Sequence, residues 1–216
     1  MTTSGAHLPD LKSLVDLATA PSPWDLGNEV LYTLCRDHPA HEDPSVVIAK
    51  VWLIGRAYAA VIERRRGRHE ASDSFYVESV AVDIMRSGID AWIEEAKEKV
   101  ERGESAVAEM LATHAKVTQL FEGIAGLNKR SLASKYLHFH VPSLFFIYDT
   151  RAVEGIRVLS APLGRTTGSN GDADSEYRRF VEKCVMLQAM IEGRLEVRLS
   201  PRQLDNLLLH VHASTC

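Results

Sequence analysis

The chain is poor in net positive charge. Its 216 residues hold 25 Lys and Arg against 29 Asp and Glu, a formal net charge of -4. A protein that coats nucleic acid by bulk charge is normally basic. Any contact with DNA or RNA must therefore come from a local positive patch. Cysteine is scarce as well: Cys35, Cys184 and Cys216 share no metal-type spacing and form no CxxC. An odd, scattered count argues against a disulfide framework or a zinc site and fits a reducing cytoplasm. Long apolar runs are missing. The longest candidate, Val46 to Ile62, is interrupted by Lys50 and Arg56, whereas a membrane span needs about 18 uninterrupted apolar residues. No apolar run follows a basic start, so no signal peptide is expected. The phosphate-cradling GxxxxGK[ST] loop and the GxSxG nucleophile elbow are also missing, which sets aside two common enzyme classes.

What is present is core. Hydrophobic residues make up 45% of the chain and charged residues 25%, enough for one domain or two small helical lobes. Helical spacing of apolar residues recurs along the sequence and no convincing alternating strand does. The expected fold is all-α, with about nine or ten helices. The expected lobes run from about 24 to 122 and from 123 to 216, the N-terminal segment joining the second.

The expected helices have recognisable ends. One runs from Pro9 to Ala20, stopped by Pro21 to Pro23, and a second from Trp24 to Asp37. Asp43-Pro44 starts a third by supplying a cap and a proline at the first helical position. It is expected to reach about Arg66 at the bundle centre, with Lys50 and Arg56 finding an edge or acidic partners. Ser74 to Glu101 follows, with a break near Gly88, then Glu104 to Phe121. Arg130 to His140 is the next helix, and the segment from Pro142 continues through Asp149 to about Leu159. Ser160 to Asp174 is a loop rich in Gly, Ser, Thr and Asn. Asp174 to Arg194 and Arg202 to His212 complete the set. Trp24, Trp52, Tyr58 and Trp92 occupy apolar helical positions and are expected in the core.

The chemically suggestive stretch is Gly123 to Arg151. Gly126-Leu127-Asn128 makes a tight turn between two helices. Backbone N–H groups at the start of the second helix can bind a phosphate. Asn128 tolerates a left-handed conformation. Lys129 and Arg130 oppose the helix dipole, which suits residues that face an anion. Asp149 follows the bulky run Phe145-Phe146-Ile147-Tyr148, so partial desolvation is expected. It is also well placed to cap a helix starting at Thr150.

These residues resemble the helix-hairpin-helix core of the base-excision DNA glycosylases, and most nearly its 8-oxoguanine glycosylase-like branch. The shared order is the hairpin Ile124 to Asn128, then Ala133, Pro142 and the tyrosine–aspartate pair Tyr148-Asp149, about 30 residues in all. The resemblance implies a DNA-repair hydrolase that removes a damaged purine such as 8-oxoguanine. DNA would be held by Gly126, Asn128, Lys129, Arg130 and Arg151, and the target nucleotide flipped into a cleft. Asp149 would stabilise positive charge on the sugar as the base leaves. Relatives that also cut the strand use a hairpin lysine as a covalent nucleophile. Here that column holds Arg130, which cannot lose its proton. Lys129 and then Lys135 are the candidates in its place. No cofactor is implied, and the four-cysteine iron–sulfur motif of some relatives is missing.

Other readings compete. The same hairpin suits a non-catalytic nucleic-acid-binding or assembly module that keeps the turn for packing. His138 and His140, or His210 and His212, stand two apart, a spacing that shares a face on a strand but not on a helix. No metal site is expected from them. The basic run Arg64 to Arg68 reads as a solvated helix end, with a nucleic-acid contact as the alternative.

Overall fold

The computed structural model describes residues 10–64, 73–102, 106–160 and 174–215. Every regular element among them is helical. In order these are α1 (Leu11–Thr19), α2 (Asp25–Asp37), α3 (Pro44–Ala57), α4 (Asp73–Phe75), a π-helical turn (Tyr76–Val80), α5 (Ala81–Met85), α6 (Ile89–Glu101), α7 (Ala106–Ala125), α8 (Arg130–His140), α9 (Thr150–Ser160), α10 (Ser175–Leu195) and α11 (Pro201–Thr215). No helix among the described residues is long and apolar enough to cross a membrane.

Side-chain caps set several helix starts. Asp10 accepts from the N–H groups of Lys12 and Ser13, and Asp43 from that of Ser45 ahead of Pro44. Asp174 accepts from Glu176 and Tyr177. Ser200 and Gln203 form a reciprocal capping box: Ser200 Oγ accepts from the Gln203 N–H, and Gln203 Oε1 from the Ser200 N–H. Each cap satisfies donors that the first helical turn leaves open.

The chain divides into two compact units, Pro23–Phe145 and Met1–Ser22 with Phe146–Cys216. In the first, α2, α3, the π-helical turn and α5 to α8 pack together. The helix sheathed almost all round is α8, whose residues from Leu132 to Phe139 are all buried. In the second unit, α9 and α11 form the main contact, with α1 against α11 and α10 against α9. The α9–α11 crossing is tight enough that a Cβ on Gly155 would overlap the Leu208 carbonyl.

Several expectations are corrected. The helix α3 stops at Ala57 rather than near Arg66. Ala59 turns left-handed at φ 50°, and the Ala60 N–H bonds back to the Gly55 carbonyl at 2.8 Å. Gly55 permits this, because a Cβ there would stand 3.3 Å from Val61 Cα. Lys50 does not reach an edge. It is fully buried and donates to the Ala40 carbonyl at 3.3 Å. Arg56 does find an acid, pairing with Glu63. Trp24 and Trp52 are not core: they are 75% and 45% exposed. The segment from Pro142 leads without helix to Asp149, and α9 starts at Thr150, where the capping reading puts it. The break near Gly88 is present between α5 and α6. Loop residues 161–173 and the basic residues 65–68 lie outside the described residues.

Candidate functional site

The turn between α7 and α8 is held by Gly126, whose φ is 67°. Asn128 is not left-handed, contrary to the expectation above. Its Oδ1 instead accepts from the Arg130 N–H at 3.0 Å, closing the first turn of α8. That amide is therefore occupied from within the chain. Gly126 and Asn128 are exposed, and Arg130 is partly so.

The two candidate nucleophiles are turned inward. Lys129 is 8% exposed, and its Nζ donates to the Val61 carbonyl at 2.9 Å and the Arg64 carbonyl at 2.6 Å. Burial, with the Arg64 charge beside it, lowers its pKa below the usual lysine value, and Glu63 opposes that shift. Lys135 is 1% exposed. It donates to the Tyr58 carbonyl at 3.1 Å and to Ser131 Oγ at 2.9 Å. Both ammonium groups tie the backbone that follows α3 to α8. The sequence gives no signal for this, because the carbonyls they meet lie more than sixty positions away.

Asp149 belongs to the other unit. It is the cap of α9: Oδ1 accepts from the Ala152 N–H at 2.9 Å, and its own carbonyl accepts from Val153 at 2.9 Å. Its Oδ2 stands 3.6 Å from the Arg151 guanidinium, and the carboxylate side chain is 16% exposed. Arg151 itself is exposed. The histidine pairs are split between separate tasks. His138 bonds to the Phe145 carbonyl and to the Tyr32 hydroxyl, while His140 bonds to the Tyr136 carbonyl. His212 pairs with Glu154 at 3.0 Å. Among the described residues no three His, Cys, Asp or Glu side chains are grouped to hold a metal ion.

A feature missed in the sequence lies in the same unit as Asp149. A cavity of about 300 Å³ is lined by Tyr148, Val153, Ile156, Arg157, Glu176, Arg179, Phe180 and Lys183. Tyr148 stands edge-on to Phe180, with ring centroids 5.2 Å apart. Three cations and one acid face this space. Among the described residues neither Arg157 nor Lys183 has an ion-pair partner. Arg179 Nε donates to the Ser175 carbonyl at 3.1 Å. The available signal was the spacing of Arg179 and Lys183, four apart and hence on one face of α10. The contribution of Arg157 from α9 needed the tertiary contact between the two helices.

The fold and this site define a helical protein with a cation-lined, aromatic-walled cavity. No protein-family model matches the chain, and comparison with curated proteins and with solved structures gave no match.

Proposed function

We propose that the protein binds nucleic acid through the cavity between α9 and α10, and that the α7–α8 turn serves packing. The observation that carries this is the gathering of Arg157, Arg179 and Lys183 around Tyr148 and Phe180. Unpaired cations attract phosphate, and an aromatic face beside them gives a base somewhere to stack. This also accommodates the acidic composition, since the positive charge is local rather than general. The inward lysines support the packing role for the turn, because their hydrogen bonds are made within the chain.

The test is fluorescence anisotropy with a short labelled single-stranded oligonucleotide. The triple variant R157Q/R179Q/K183Q is expected to bind more weakly, with its salt dependence flattened by about one unit of slope per lost phosphate contact. Equal affinity and equal slope in variant and wild type would remove the proposal.

A second reading follows from Asp149, next in sequence to the cavity-lining Tyr148 and only partly buried. In it the protein removes a damaged purine of the 8-oxoguanine type, with Asp149 stabilising the sugar cation. Strand cleavage is not part of it, since Lys129 and Lys135 are tied into the backbone. Asp149→Asn separates chemistry from folding, because Asn caps a helix as well as Asp does. Wild type is expected to leave an alkali-labile site in duplex DNA carrying 8-oxoguanine, and D149N to leave none while binding equally. No base release by wild type ends this second reading and leaves the binding proposal standing.

A further inference from the structure

We propose that the Pro23–Phe145 unit carries a small-molecule site for a planar carboxylic acid bearing a ring O–H or N–H. The site is a cavity of about 290 Å³ whose walls include Tyr32, Cys35, Arg36, Lys97, Phe139 and His140. Its size is that of the smaller ligand pockets. Cys35 and Phe139 are buried, at 3% and 2% exposure, and form the inner wall. Arg36 is exposed and Lys97 half-buried, and these two form the mouth.

One of the cavity-lining residues, His140, has an unmet polar need. His140 Nδ1 bonds to the Tyr136 carbonyl at 2.8 Å. A carbonyl can only accept, so Nδ1 carries the proton and Nε2 is left as an acceptor. That Nε2 is buried and has no hydrogen-bond partner. Leaving a buried polar atom unmet is costly, and such an atom is where a ligand donor gains most.

The ring is held firmly. His140 stacks on His41, with centroids 5.2 Å apart, and lies tilted against Tyr136 at 4.6 Å. His41 is fixed in turn by its hydrogen bond to Asp90 and by Tyr136, whose hydroxyl lies 2.6 Å from His41 Nε2. Burial, with Lys50 and His41 nearby, keeps the pKa of His140 well below the usual histidine value. The imidazole is thus a fixed neutral acceptor.

The mouth favours an anion. Arg36 stands 3.6 Å from Glu29 and 3.4 Å from Asp37, and Lys97 stands 3.2 Å from Glu94. All three acids are more than half exposed. Such pairs contribute little, and a ligand carboxylate can replace them. Tyr32 packs against Phe139 of the inner wall, their rings 4.8 Å apart, and together they offer apolar ring surface to a flat ligand. An occupant that satisfies all three parts has a carboxylate outward, an aromatic body and an O–H or N–H inward.

Isothermal titration of the full chain with 4-hydroxybenzoate and indole-3-carboxylate tests this. At least one is expected to bind saturably. If 4-hydroxybenzoate binds, benzoate and 4-hydroxybenzyl alcohol are each expected to bind about tenfold more weakly. If indole-3-carboxylate binds, 1-methylindole-3-carboxylate and indole are expected to be the weak pair. His140→Phe is expected to abolish the preference for the ring donor, and Lys97→Gln to weaken the preference for the carboxylate. If H140F does not fold, K97Q alone decides, since residue 97 lies at the edge. No saturable binding of either acid by wild type overturns the proposal. So does binding whose preferences survive the variants that fold.

Discussion

Two sets of cations, one in each unit, are used in opposite ways. In Pro23–Phe145 the cations Lys50, Lys129 and Lys135 are buried and spent on backbone carbonyls. In the unit holding Asp149, Arg157 and Arg179 are exposed and Lys183 is half-buried, all facing a cavity. A lysine beside a turn is thus no guide to chemistry here. A buried ammonium that lacks its partners is expensive, so the unit supplies them and the group becomes a fixture. A surface guanidinium needs no partner and stays available to an incoming anion.

The comparison can be broken most forcefully at the α9–α11 crossing. Gly155→Ala would push a methyl into the Leu208 carbonyl. It is expected to destabilise the Asp149 unit by about 3 kcal/mol, read as a lowered urea midpoint. A wild-type midpoint would mean that the helices separate without cost.

Next is Lys129→Met, which leaves the Val61 and Arg64 carbonyls without their donor. A loss of about 2 kcal/mol is expected, measured by the same unfolding curve. An unchanged stability, joined to lost DNA activity, would instead return Lys129 to a functional role.

A pH titration sharpens the contrast further. His41 and His140 both have pKa values lowered by burial and by the Lys50 charge, with Asp90 opposing the shift at His41 and Lys97 adding to it at His140. The unfolded chain, with histidine near 6.5, therefore binds protons before the folded one does. Stability from this pair is complete above about pH 6.5 and falls as the pH drops below it. Thermal melts at pH 7.5 and 5.5 are expected to show the loss, and H140F to show less of it. The smallest effect on stability is expected from R157Q/R179Q/K183Q. These side chains lie at the surface, and each change should stay within about 0.5 kcal/mol. A larger loss, seen in the melting curve, would mean that the cations hold the fold rather than serve a ligand.

The helices were legible wherever their ends are local. Asp10, Asp43, Asp174 and Ser200 each cap a donor two or three residues ahead, and Asp149 does the same for α9. The early stop of α3 was not legible, because Gly55 to Val61 looks helical until the chain folds back on Gly55. Nor was the exposure of Trp24 and Trp52, since an apolar residue at helical spacing does not say whether another element will cover it.

The sequence by itself determined an all-helical chain and the places where several helices begin, because capping and apolar spacing act over a few residues. Tertiary structure alone decided which charges are buried and which remain available. Lys129 meets its carbonyls 68 and 65 positions away and Lys135 one 77 positions away. Arg157 joins Arg179 and Lys183 only through the packing of α9 on α10. Burial is a property of neighbours, and those neighbours come from distant parts of the chain.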